Sequence, residues 1–144
     1  MKKITIYTDG TCKGNPGPGG WGAVLIFEDD MKKICGGEKI TTNNKMELSA
    51  AINALDNLSE SCQIDLYTDS SYLKNGITSW LENWIKKNWK TASGKPVKNK
   101  ELWDRLSHLT KKHTIKWYWV KGHSNNEYNE IADNLANQGC EKFM

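Results

Sequence analysis

The tripeptide Tyr-Thr-Asp occurs twice in the chain, at residues 7–9 and 67–69, and each copy closes a stretch of alternating residues. In KKITIYTD, Ile4, Ile6 and Thr8 fall on one side and Thr5, Tyr7 and Asp9 on the other, and QIDLYTDS alternates in the same way. A period of two marks a β-strand. Between the two strands lies NNKMELSAAINALDNL, where Leu48, Ala51, Ile52, Leu55 and Leu58 recur at helical spacing. A strand that follows a helix implies a crossover and a parallel partner. If the two strands are neighbours in matching register, Asp9 and Asp69 stand side by side at their carboxyl ends, where open α/β sheets bind ligands. Two carboxylates that close repel each other, so a proton or a cation must neutralise them. Hard, oxygen-ligated Mg²⁺ or Mn²⁺ suits such a pair. The alternative for each Asp is to cap the turn after its strand.

The rest of the chain extends this core. GNPGPGG breaks regular structure after the first strand. WGAVLIFE and KKICGGEKIT form a hairpin, so the sheet begins as an antiparallel meander. SSYLKNGITSWL and ENWIKKNW read as two short helices, with Gly94 and Pro96 marking a loop beyond them. KNKELWDRLSHLTKKH is helical, with Leu102, Leu106 and Leu109 on one face. TIKWYWVKG is a fifth strand, with Trp117 and Trp119 directed to the core. NEYNEIADNLANQG is the last helix, with Tyr128, Ile131, Leu135 and Ala136 inward and Gly139 as its C-cap. The expected fold is α/β: a mixed five-stranded sheet, three antiparallel strands and then two parallel, flanked by helices. At 144 residues this is one domain, spanning 1–144.

Two further acids are placed by these helices. Glu47 lies in the first turn of the first long helix, where Asn44 as N-cap and Glu47 as N3 would make a capping box. Glu47 also borders the apolar face, so it can reach toward the sheet. Asp133 lies off the apolar face of the last helix, where a solvated acid is the ordinary reading. His123 sits in the polar loop GHSNNEYNE, and near a carboxylate–metal centre it is a candidate for proton transfer.

Composition bounds the function. No stretch approaches the roughly 18 apolar residues of a membrane span. The N-terminus has lysines but no long apolar run, so it does not read as an export signal. Cys12, Cys35, Cys62 and Cys140 form no CxxC pair, and they are expected as reduced thiols in a cytoplasmic protein. Net charge is +3, unevenly spread: from Lys86 to Lys121 eleven Lys/Arg face two acids, so that segment carries +9 and the remainder −6. A basic run is either a solvated face or a surface for a polyanion.

TDGTCKGNPGPGGWG, TNNKMEL, YTDSSYLKNGI, NWKTASGKPVKNKELW and WVKGHSNNEYNEIAD, in that order, closely resemble type 1 ribonuclease H of the bacterial cytoplasmic kind. The resemblance runs from about Ile4 to Ala136. It implies the ribonuclease H-like fold and an endonuclease that hydrolyses the RNA strand of an RNA–DNA hybrid, leaving 5′-phosphate and 3′-hydroxyl ends. It implies two Mg²⁺ ions, with Mn²⁺ as a substitute, held by Asp9, Glu47, Asp69 and Asp133. Asp9 would lie between both ions, and His123 would stand in the loop beside them.

The same resemblance assigns the hybrid-binding surface. Trp80, Trp84, Lys86, Lys87, Trp89 and Lys90 would form its basic protrusion, and Thr42 would contact a DNA phosphate. Choosing the RNA strand requires reading the 2′-hydroxyl. Asn15, Asn43 and Asn44 suit such groove contacts, although turn and cap chemistry also explains them. The backbone amides of Cys12, Lys13, Gly14 and Asn15 are candidates because a Gly-rich loop lets the backbone approach a ligand. Trp80 and Trp103 are candidates for the DNA strand's sugars and phosphates, with core packing as the alternative. One departure is Ser71, where the family commonly carries a Gln that reaches into the minor groove. A related DNA nuclease and an inactive nucleic-acid-binding module are the rival readings, and a ribonuclease H domain excised from a reverse transcriptase is a third possibility. The expected state is a monomer without an obligate protein partner or a membrane.

Overall fold

The computed structural model describes residues 1–121 and 126–144. Strands β1 (Lys2–Cys12), β2 (Gly17–Phe27) and β3 (Asp30–Thr41) form the antiparallel meander. Helix α1 (Asn43–Asp56) then crosses over to β4 (Cys62–Thr68), which pairs parallel with β1. Tyr7 stands opposite Tyr67 and Thr8 opposite Thr68, the register the repeated tripeptide requires. After α2 (Ser71–Asn75), α3 (Leu81–Lys86) and α4 (Lys100–Lys112), strand β5 (Thr114–Trp119) adds parallel to β4. Helix α5 (Glu127–Glu141) follows. The sheet order is β3-β2-β1-β4-β5.

The alternation of β1 divides the molecule into two cores. Ile4 and Ile6, with Ala23, Leu25, Ile64 and Leu66, meet Leu48, Ile52 and Leu55 of α1 and Trp103 and Leu106 of α4. On the opposite face Tyr7 and Val24 meet Ala132 and Leu135 of α5. Tyr7, Tyr67 and Tyr118 stack across β1, β4 and β5 on that side, with ring centroids 4.6 and 4.7 Å apart.

Several local expectations give way to tertiary contacts. The segment GNPGPGG does not wholly break the sheet, because β2 begins at Gly17 and Gly19 and Gly20 pair with Cys12 and Thr11. The two short helices are one helical run in which residues Gly76–Trp80 form a π turn between α2 and α3. The Trp103 ring lies so close over Gly76 that a Cβ there would overlap it. Gly139 is interior to α5 rather than its C-cap, lying against the Gly36 backbone of β3 with no room for a Cβ. Trp117 packs on the core as expected, but Trp119, on the same face at the last position of the edge strand β5, is 43% exposed.

Candidate active site

The carboxyl ends of β1 and β4 bring Asp9 and Asp69 together, and α1 lowers Glu47 onto them. Each of the three offers a carboxylate oxygen, and these oxygens lie within 4.8 Å of one another. The close approach of α1 depends on Gly10: a Cβ there would stand 2.6 Å from the Glu47 amide nitrogen and the Met46 carbonyl carbon. The cap of α1 is Thr42, whose Oγ1 accepts from the Lys45 amide at 3.2 Å. Asn44 therefore is not the N-cap and Glu47 is not its capping-box partner. Glu47 lies in the second turn, 4% exposed, and turns inward to Asp9.

Asp133 reaches the same cleft from α5 and shares a hydrogen bond with the Asp9 carboxyl. Its helix sits close to the sheet because β2 carries Gly22, where a Cβ would lie 2.5 Å from Leu135 Cβ and 2.6 Å from the Ala132 oxygen. The cleft holds about 450 Å³, and Asn43, Asn44, Ser70, Ser71 and Tyr72 complete its wall.

Burial and crowding set the electrostatics. The Asp9 carboxyl is pushed up to about 8, first by burial, then by the negative charge of Asp69 and the hydrogen bond with Asp133. The Gly10 amide, 2.9 Å from Asp9 Oδ1, opposes that rise. Glu47 is held well above the ordinary carboxylate range by burial and by the charges of Asp9 and Asp69. Its Oε2 is buried without a hydrogen-bond partner. An all-oxygen donor set, negative, crowded and with an unsatisfied buried oxygen, fits a hard divalent cation.

The turn carrying Asp69 is fixed from three directions. Ser70 caps α2, its Oγ accepting from the Leu73 amide at 3.0 Å, so Asp69 is not needed as the cap. The Ser70 amide donates to Thr68 Oγ1 at 3.1 Å. The Trp119 indole Nε1 donates to the Asp69 carbonyl oxygen at 3.2 Å. Neither Trp119 nor Tyr72 stood out in the sequence as a site residue, since nothing in a strand or helix period marks a hydrogen bond to a neighbouring turn.

The remaining expected residues divide. Asn15 Oδ1 accepts from the Asn43 amide at 2.8 Å, joining the β1–β2 loop to the start of α1. The Lys13 amide donates to the Pro18 carbonyl at 2.8 Å, so it is turned into the loop and does not face a ligand. Gly14, at φ 82°, and Asn15 are exposed, and Cys12 places its thiol 3.3 Å from the Thr41 carbonyl. Trp80 is exposed, Trp84 and Trp89 pack partly against the core, and Lys86, Lys87 and Lys90 are exposed. Trp80, Trp84, Lys87 and Lys90 line one groove. Trp103 is the correction. It is 0% exposed, donates from Nε1 to the Tyr72 hydroxyl at 2.9 Å, and cannot touch a nucleic acid. It supports Trp84, with ring centroids 5.5 Å apart. His123 lies outside the described residues.

A model of the RNase H family matches residues 1–141. The chain belongs to the RNase H family. The Ribonuclease H of Brucella anthropi is 57% identical over 143 residues, covering 99% of this chain and 93% of that protein. Among solved structures, LC9-RNase H1, a type 1 RNase H with the type 2 active-site motif, matches with a TM-score of 0.88 at 28% identity. That match covers 100% of this RNase H and 74% of the other chain. LC11-RNase H1, solved in complex with an RNA/DNA hybrid, matches with a TM-score of 0.71 at 25% identity over 96% of this chain and 97% of that one.

Proposed function

We propose that this RNase H is an endonuclease that hydrolyses the RNA strand of RNA–DNA hybrids, leaving 5′-phosphate and 3′-hydroxyl ends. The observation that carries the reading is the meeting of Asp9, Glu47 and Asp69 within 4.8 Å, in a cleft that Asp133 also lines. The hybrid found with LC11-RNase H1 supports the substrate. Asp9, Glu47, Asp69 and Asp133 would hold two Mg²⁺ ions, with Mn²⁺ as a substitute. Bound there, the ions supply the charge that activates water and steadies the departing 3′-oxygen.

The protein's own part is placement. Asp9 on β1 and Asp69 just past the end of the adjacent β4 form the floor of the site, and Glu47 and Asp133 close it from two helices. His123 would move a proton or assist product departure, so its loss slows turnover without ending it. Asn15, Asn43 and Asn44, with the backbone at the exposed Gly14 and Asn15, would read the sugar edge that separates RNA from DNA. Thr42 would meet a DNA phosphate, and Ser71 would make a shorter groove contact than Gln. Trp80, Trp84, Lys86, Lys87, Trp89 and Lys90 would follow the DNA strand. Among the described residues no helix is long and apolar enough to cross a membrane. The four free thiols suit a reducing compartment, and we place the enzyme in the cytoplasm as a monomer.

A strand-labelled cleavage assay tests this, comparing hybrid, duplex DNA and duplex RNA with and without Mg²⁺. Cleavage confined to the RNA strand of the hybrid is expected. Asp69→Asn should lower the rate by more than about 100-fold, since losing even an outer partner of a metal ligand costs roughly 10–100-fold. Cleavage of duplex DNA, or near-normal Mg²⁺-dependent hydrolysis by Asp69→Asn, would overturn the assignment.

A further inference from the structure

Trp119 ends the edge strand with a large apolar ring 43% exposed. Its position is nevertheless fixed from two sides. The indole N–H donates to the Asp69 carbonyl at 3.2 Å, and the Lys74 ammonium, on the last turn of α2, lies 4.9 Å from the ring centroid. That separation is within the range of a cation–π contact. Regular pairing of β4 with β5 ends at Thr68 and Trp119, and the Val120 amide adds one more bond to the Thr68 carbonyl at 2.9 Å. Asp69 is the first residue beyond that ladder. The indole N–H therefore anchors the peptide that carries the carboxylate, just where the sheet stops doing so.

We propose that Trp119 is a positioning residue for the metal centre: its indole N–H pins the Asp69 main chain so that the carboxylate faces Asp9 and Glu47, and Lys74 holds the ring in place. The proposal rests on Asp69 being a cation ligand. It assigns a task to an exposed tryptophan that core packing does not explain. Groups that orient a ligand from outside typically change metal affinity about 10–100-fold when removed.

The test is Trp119→Phe, which keeps an aromatic ring for Lys74 and removes the N–H along with part of the indole's surface. Calorimetric titration of the free protein with Mg²⁺ should give a Kd raised about tenfold. In the cleavage assay the Mg²⁺ midpoint should rise to a similar extent, KM for the hybrid should stay within about twofold, and excess Mg²⁺ should restore most of kcat. In the wild type, the Trp119 indole N–H should exchange slowly with solvent by NMR although its ring is exposed. Should Trp119→Phe fail to fold, Lys74→Gln leaves the core intact and should speed that exchange and raise the Mg²⁺ midpoint. Unchanged Mg²⁺ affinity in Trp119→Phe, or unchanged exchange and midpoint in Lys74→Gln, would overturn the role. Asp69→Asn separates the two readings. If it is inactive while Trp119→Phe matches wild type, only the role of Trp119 falls; if it retains activity, the assignment of Asp69 falls and this role with it.

Discussion

Asp9 illustrates how the site is held together against its own charge. Its carboxyl titrates near 8 in the fold against a usual 3.8, because burial and Asp69 disfavour the ionised form. A carboxyl whose folded value is raised stabilises the fold below the unfolded value, and that contribution is lost as pH rises through the folded value. Without metal, the contribution of Asp9 to stability should therefore decline between about pH 4 and pH 8. Asp9→Asn should flatten that decline and be more stable than wild type at pH 8, while losing hydrolysis. Urea unfolding in chelator across this range measures both, and a wild-type stability that rises with pH over the window would contradict the account. The two aspartates were legible in the sequence because a strand period places them and the repeated tripeptide aligns them. Asp133 was legible only through the family resemblance, because it lies off the apolar face of α5 and its place in the cleft depends on how that helix packs over Gly22. Trp103 is buried where a nucleic-acid contact was expected and Trp119 is exposed where core packing was expected, since residue type alone does not say which indole the helices cover.

At the scale of elements, glycines set how near the helices come to the sheet. Gly22→Ala would drive a Cβ against Leu135 and the Ala132 carbonyl of α5. The expected cost is about 1–3 kcal/mol, as for other overpacked sites. Because α5 carries Asp133, cleavage at limiting Mg²⁺ should fall as well, by more than the loss of folded protein explains. Denaturant unfolding beside a Mg²⁺ titration of activity checks this, and an unchanged unfolding midpoint would mean that α5 is not seated as described. Strand and helix existence followed from period, and so did the parallel step through α1. The π turn did not: SSYLKNGITSWL carries an ordinary helical pattern, and its widening coincides with a Trp103 ring from a helix more than twenty residues away. The α1 cap was misplaced by two residues because Thr42, Asn43 and Asn44 are all competent caps, and only the hydrogen bond from the Lys45 amide identifies Thr42.

Across the whole molecule, a cluster of acids stands in a chain whose Lys86–Lys121 segment carries +9. If Lys86, Lys87 and Lys90 meet phosphates, hybrid affinity should fall steeply with salt, and replacing all three by Ala should reduce the slope of log affinity against log salt by about two to three. Binding titrations between 50 and 200 mM salt, on the order of the range where such effects are large, decide this, and an unchanged slope would remove these lysines from the interface. The central claim is that the buried acids exist to hold a divalent cation. Calorimetric titration of Mg²⁺ into the metal-free protein at neutral pH, repeated in two buffers of different ionisation enthalpy, addresses it without any substrate. Saturable binding with net release of protons is expected, and both should be lost in Asp9→Asn. Absence of binding, binding without proton release, or an Asp9→Asn titration matching wild type would contradict it.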